Sequence, residues 1–190
     1  MAIEIQKLES QFSYQEVQNL LQLAHQSNEE KGLIYATAHQ SVDKLREKIG
    51  DGTCYVAVDT QTGALVGTIS ICEKKIAYWY YEGLTYLMKM AGIHPSYKGK
   101  GIGSLLVQKC IDQARAEHIS VIIGDSAEEN HALRALLTKF DFVTVDCVKY
   151  KSNSFISSVY ARWVDGECPW TSQERDTRYQ EHRANIVEKD

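Results

Sequence analysis

No apolar run in this sequence reaches the 20 or so residues a membrane-spanning helix needs. The first ten residues, MAIEIQKLES, lack the apolar core of a secretory signal. Cytoplasm is therefore the expected compartment, and no membrane partner is expected. Cysteine is sparse and scattered: Cys54, Cys72, Cys110, Cys147 and Cys168 include no C-x-x-C pair, and the count is odd. That pattern indicates neither a zinc module nor a disulfide framework. Most of these cysteines read as small core hydrophobes. The histidines and carboxylates show no metal-ligand spacing such as H-E-x-x-H, so no metal is expected. No cysteine sits in a recognisable nucleophile motif, which argues against covalent catalysis through a thiol. A formal net charge of −4 gives no reason to expect nucleic acid. There is no internal repeat and no clear linker. What remains, 190 residues at 44% apolar and 24% charged, is one soluble domain with a proper core.

The informative stretch runs from Leu84 to Leu106, LTYLMKMAGIHPSYKGKGIGSLL. Leu84–Ile93 is an apolar run with one charge, Lys89, and Pro95 stops it because proline cannot donate to a ladder. Gly99, Gly101 and Gly103 then alternate with Lys98, Lys100 and Ile102. Leu105, Leu106, Cys110, Ile111 and Ala114 follow at helical spacing. Glycines let a backbone approach a ligand and turn its N–H groups towards it. The helix behind them adds unsatisfied donors and the positive end of its dipole. Strand, glycine turn, helix and two lysines together make a seat for a phosphate or pyrophosphate.

Two common phosphate motifs do not fit. A P-loop needs G-x-x-x-x-G-K-[ST], and no Lys-Ser or Lys-Thr follows these glycines. A dinucleotide fingerprint needs G-x-G-x-x-G near the start of a βαβ unit, whereas here the order is G-x-G-x-G. Lys98-Gly99-Lys100-Gly101-Ile102-Gly103 instead resembles the acyl-CoA pyrophosphate loop of the GNAT N-acetyltransferase superfamily, [QR]-x-x-G-x-[GA]. The approach to it, Ile93-His94-Pro95, resembles that family too. Lys98 departs from the usual Gln or Arg but keeps the charge.

Taken in order, Ala2–Leu8 alternates as a first strand. Ser13-x-x-Glu16 is a capping box, with Phe12 and Val17 as its hydrophobic staple, ahead of a helix lined by Val17, Leu20, Leu21 and Ala24. Ser41 caps a second helix, Val42 to Ile49, which Gly50 ends. Thr53–Asp59 and Ala64–Cys72 are strands joined by a short hairpin loop. Glu73–Gly83, with Tyr78, Trp79, Tyr80 and Tyr81, is expected to be less regular. Ser120–Gly124 reads as a buried parallel strand. Leu133, Leu136, Leu137 and Phe140 mark an amphipathic helix. Phe142–Tyr150 and Phe155–Trp163 form a closing hairpin. The resulting expectation is an α/β (α+β) fold, a GNAT-like, mostly antiparallel sheet of about seven strands flanked by about four helices. Residues 1–164 form the domain; 165–190 are an extension that leaves a packing role or a homodimer contact open.

The resemblance implies that acyl-CoA lies where the fourth and fifth strands splay apart. It implies pantetheine contacts at Gly92 and Ile93, and pyrophosphate contacts at Lys98, Gly99, Lys100, Gly101, Ile102, Gly103 and Ser104. Asn130 opens a second family segment and is placed on the pantetheine arm, with helix N-capping as its plain alternative. Leu137 stands where the family often has the Tyr that protonates the leaving thiolate, and Asp141 replaces a Gly. For the base, Glu82 is the carboxylate beside the aromatic cluster, its alternative being a solvated loop residue. Tyr86 and Asp125 are further candidates, with core and turn roles as alternatives. His94 and His131 flank the loop and the helix. The leading function is an N-acetyltransferase moving an acetyl group from acetyl-CoA to a small-molecule or peptide amine by direct attack. A non-catalytic acyl-CoA-binding protein, which the missing Tyr favours, and a protein using the loop for another nucleotide are the alternatives.

Overall fold

Alternating and near-continuous apolar runs become strands here, and 3.6-period faces become helices. The computed structural model describes residues 2–9 and 11–189. Its elements are β1 (Ile3–Lys7), α1 (Tyr14–Glu29), α2 (Ala36–His39), α3 (Val42–Ile49), β2 (Thr53–Asp59), β3 (Ala64–Tyr78) and β4 (Tyr81–Ile93). They continue with α4 (Ile102–Ala116), β5 (Val121–Ala127), α5 (His131–Thr138), β6 (Val143–Tyr150), β7 (Ile156–Trp163), α6 (Ser172–Ala184) and β8 (Glu188–Lys189). Among the described residues these make an eight-stranded, mostly antiparallel sheet and six α-helices. The two extra helices are the short α2 and the C-terminal α6, and the extra strand is the two-residue β8.

The chain divides into two compact units, Met1–Cys72 with Met88–Cys110, and Glu73–Leu87 with Ile111–Asp190. In the first, β1 and β3 both pair antiparallel with β2, in registers Gln6↔Val56 and Val56↔Thr68. The burial of β2 runs almost unbroken, as for a strand covered on both faces. Val17 and Leu21 of α1 and Leu45 and Ile49 of α3 pack with Cys54, Val56, Val58 and Met90, and Phe12 joins them. Both halves of the Ser13/Glu16 capping box form, with Ser13 N–H donating to Glu16 at 2.7 Å and Glu16 N–H to Ser13 Oγ at 3.2 Å. Gly50 ends α3 at φ +53°.

In the second unit β7 lies between β5 and β6, antiparallel to both, with Gly124↔Tyr160 and Thr144↔Tyr160 in register. The core joins Ile76, Tyr80, Val121, Ile123, Val145, Val148, Val159 and Ala161. The segment 73–83 is more regular than expected: β3 runs on to Tyr78 and β4 starts at Tyr81, leaving a two-residue turn. Cross-strand bonding holds it, with Thr85 Oγ1 of β4 donating to Lys74 O of β3 at 2.9 Å, although only Ile76 and Tyr80 are buried and Lys75, Ala77 and Tyr78 are exposed. With two buried residues four apart in an otherwise mostly exposed stretch, no period-2 pattern marks these strands in the sequence. The last segment, 165–190, carries α6, started by a Thr171/Glu174 capping box. The same signature was readable in the sequence as Thr171-x-x-Glu174.

Candidate functional site

The glycine loop begins at the end of β4, in the first unit. The His94 amide donates to Val66 O at 2.9 Å, carrying the pairing one residue past the strand. Pro95–Tyr97 then make a single 3-10 turn, in which His94 Nδ1 accepts from the Ser96 amide at 3.3 Å. The Tyr97 hydroxyl donates to the buried Asp59 carboxylate at 3.1 Å, pinning the turn to the end of β2. Gly99 and Gly101 follow at φ +76° and +82°, the left-handed region where a Cβ is penalised. A Cβ added at either would meet no atom within 4 Å, so open space lies beside the loop backbone. The first α4 bond runs from Leu105 N–H to Gly101 O at 3.2 Å. The amides of Ile102, Gly103 and Ser104 therefore precede the helical ladder and have no acceptor within it. Ile102 is 1% exposed and packs where Gly67 leaves room, which locks the helix start to the sheet. Left-handed glycines, adjoining free space and a helix N-terminus fit a pyrophosphate held by backbone N–H groups.

The two loop lysines play different parts. Lys98 does not reach into that space. Its ammonium donates to Ala24 O at 3.0 Å and Ser27 Oγ at 3.1 Å, on the last turns of α1. Partial burial, with the Lys31 charge, lowers its pKa. A cation at a helix C-terminus is favourable, and α1 has no basic residue of its own in its last turn. Lys98 is thus a strut between loop and helix, with its ammonium on α1. Lys100 lies over the Tyr97 ring, 4.7 Å from its centroid, and remains exposed with the loop.

Upstream, Gly92 allows a close approach. A Cβ there would lie 3.0 Å from Ala24 Cβ and 3.1 Å from Leu21 Cδ2, so α1 sits directly on the strand. Ile93 is half-buried beside it. Met90 has φ +52°, a rare value for a long side chain within a strand, as at a bulge. Its sulfur accepts from Thr37 Oγ1 at 2.9 Å and Gln40 Nε2 at 3.3 Å, so α2 and the residue after it hold the kink. Nothing in the sequence signalled Met90. His25 of α1 stacks on Tyr35 at 4.5 Å, and burial drives its pKa down to about 4.

The other candidates lie in the second unit. Glu82 is exposed near the start of β4, and Tyr86, four residues on, is 3% exposed. Asp125 is exposed on β5, and His131 is exposed in the first turn of α5. Asn130 caps α5: its side chain accepts from Leu133 N–H and donates to Ser126 Oγ, both at 3.2 Å. Leu137 is 3% exposed and can neither give nor take a proton. Asp141 has φ +59°, the left-handed backbone expected where it replaces a glycine. The aromatic hairpin tip packs on the C-terminal segment: Trp79 meets Trp170 edge-on at 5.6 Å, and Trp170 Nε1 donates to Tyr80 O at 3.3 Å. Burial and nearby carboxylates raise the pKa of Tyr80. One group of three described residues could hold a metal ion, Asp146, Cys147 and His182, although their sequence spacing gives no sign of it.

Comparison with known proteins agrees with this geometry. The acetyltransferase (GNAT) family profile matches residues 14–142. Solved structures of the same fold include the NatC complex bound to a Gag peptide and CoA, at 18% identity and TM-score 0.65 over 86% of this chain and 99% of that one. Another is the ribosomal-protein-S18-alanine N-acetyltransferase of Escherichia coli, at 14% and 0.64 over 90% and 100%. A third is an N-acetyltransferase of Staphylococcus aureus Mu50, at 18% and 0.59 over 87% and 100%. Identities this low establish a shared fold. Among curated proteins, none matches the sequence.

Proposed function

The chain belongs to the GNAT acetyltransferase family, and from that premise we propose that it transfers the acetyl group of acetyl-CoA to an amine by direct attack. One observation carries the reading: two left-handed glycines border open space ahead of the first α4 amides. Gly99, Lys100, Gly101, Ile102, Gly103 and Ser104 hold the pyrophosphate, largely through backbone donors, and Gly92 and Ile93 hold the pantetheine. Acetyl-CoA supplies an activated thioester. The chain supplies position and proton removal.

An ammonium acceptor must lose a proton before it attacks. Glu82, exposed beside the aromatic tip of the β3–β4 hairpin, is the base we assign. Aromatic faces next to a carboxylate also suit a cationic amine before it gives up its proton. Tyr86 is buried and serves better as a fixed wall or a proton donor than as a base in contact with solvent. Leu137 removes the side-chain acid at its position, so the leaving thiolate takes its proton from solvent or from another group. The acceptor class is a small-molecule or peptide amine. A non-catalytic acyl-CoA-binding role is the second reading, favoured by the buried Leu137.

Thiol release from acetyl-CoA across a panel of amines tests the proposal. Turnover with at least one amine is expected, and Glu82→Gln should lower the rate and shift its pH profile. Tight acetyl-CoA binding without turnover would support the binding-protein reading instead. An unaltered pH profile in the variant would remove Glu82 as base.

A further inference from the structure

We infer that Asp146, Cys147 and His182 form a binding site for a divalent cation of the zinc type, tying the C-terminal helix α6 to strand β6. The three side chains offer one oxygen, one sulfur and one nitrogen, all within 4.8 Å of one another. They come from two elements of the second unit, and local backbone geometry brings them together. Consecutive strand residues normally point to opposite faces. Here the β6–β7 register shifts between Thr144 and Asp146, and such irregularities re-aim side chains. The Asp146 carboxylate folds back to accept from the Cys147 amide at 2.8 Å, which carries it towards the thiol of its own neighbour.

His182 reaches the same point from α6. Its neighbours on that helix are fixed: Tyr179 bonds Glu128 at 2.5 Å and Ser158 at 3.1 Å. Arg183 makes a two-pronged ion pair with Glu128 at 2.9 and 3.0 Å. These contacts bracket His182 and hold its Nδ1 against the Asp146 carboxylate. A plain ion pair would account for two of the three groups. It leaves the Cys147 thiol, 1% exposed, with no hydrogen bond among the described residues. A mixed N, O, S donor set is the chemistry of zinc and cobalt rather than of magnesium or calcium.

Binding exchanges the His182–Asp146 hydrogen bond for metal–nitrogen and metal–oxygen bonds; the proton on Nδ1 leaves to solvent and the ring keeps its N–H at Nε2. The thiol forms a metal–sulfur bond and gives its proton to solvent. His182 binds as neutral imidazole through Nδ1, and a water completes four-fold coordination. The His182 side chain is 36% exposed, which provides an entry edge. Glu128 and Ser158 hold Tyr179 and Arg183, and with them the turn of α6 that carries His182.

The test is a titration of the reduced, full-length protein with Co2+, followed by absorption, with Zn2+ as competitor. One equivalent per chain should give tetrahedral d–d bands and a thiolate-to-cobalt charge-transfer band, both erased by Zn2+. Cys147→Ser should lose the charge-transfer band. His182→Gln, at a partly exposed position, should weaken binding by at least about tenfold. Cys168→Ser should change neither result. No charge-transfer band in the wild-type protein overturns the site, and so does a band that survives in both Cys147→Ser and His182→Gln.

Discussion

At the residue scale, the first unit holds an imidazole that stays neutral in the folded state. Burial against Tyr35 drives the His25 pKa down to about 4 from an ordinary 6.5, and the Lys98 charge adds to the effect. Between these values the unfolded chain takes up the proton first. Stability is therefore complete above about pH 6.5 and falls as pH is lowered towards 4, by an amount of order 3 kcal/mol. Urea unfolding of His25→Gln across that window should show a flatter pH dependence than wild type. Equal slopes would contradict the buried, neutral histidine. None of this was legible in the sequence, where one histidine on a helix looks like any other. Lys98 teaches the same lesson. The motif placed it in the loop, but only the fold shows its ammonium turned onto α1.

At the element scale, the seat depends on how closely α1 rides on β4. Gly92 is what permits that approach. Gly92→Ala forces Ala24 and Leu21 to give by a few tenths of an ångström, an overpacking that costs about 1–3 kcal/mol. It should lower the urea midpoint and weaken acetyl-CoA binding together. An unchanged midpoint would mean that α1 is not seated as described. Strands and helices with a clear period were readable from the sequence: β2 spans the expected residues, and the Ser13 and Asn130 caps both form. The β3–β4 hairpin was underread, because its outer part buries only Ile76 and Tyr80 and so shows no alternation to read. The left-handed Met90 left no trace either. Methionine carries no turn signal, and its φ is set by α1–α3 packing with Thr37 and Gln40 on its sulfur.

At the scale of the whole molecule, Trp170 packs the start of the C-terminal segment on the aromatic hairpin tip, but its helix α6 is fastened by polar and charged contacts rather than by apolar burial. No α6 residue is buried, and Arg183 and Tyr179 reach Glu128 instead. Burial alone would raise the Glu128 pKa, but the Arg183 and Tyr179 hydrogen bonds outweigh it and the net shift is downward. A carboxyl with a depressed folded pKa adds stability above its unfolded pKa, and that stability is lost as pH falls through the folded value. Loosening of α6 should therefore begin below about pH 4.5, and Glu128→Gln should show it already at neutral pH. Hydrogen exchange over 172–184 reads this directly; identical protection in the variant would contradict the anchoring. The family loop, between β4 and α4, made the order of elements around it legible. The α6 contacts were not legible, since their partners lie 51 and 55 residues away in the chain.

The central claim is that the left-handed glycine loop seats acetyl-CoA. Calorimetric titration of acetyl-CoA into wild type and Gly101→Val, with ATP and NAD as controls, tests it most directly. The φ of +82° at Gly101 penalises any Cβ, and valine would also fill the open space beside the backbone. Saturable binding of acetyl-CoA alone, lost at least about tenfold in a variant with an unchanged circular dichroism spectrum, is the predicted result. Equal affinity in both proteins, or no binding to a folded wild type, would contradict the assignment of the loop and the acetyl-transfer reading built on it.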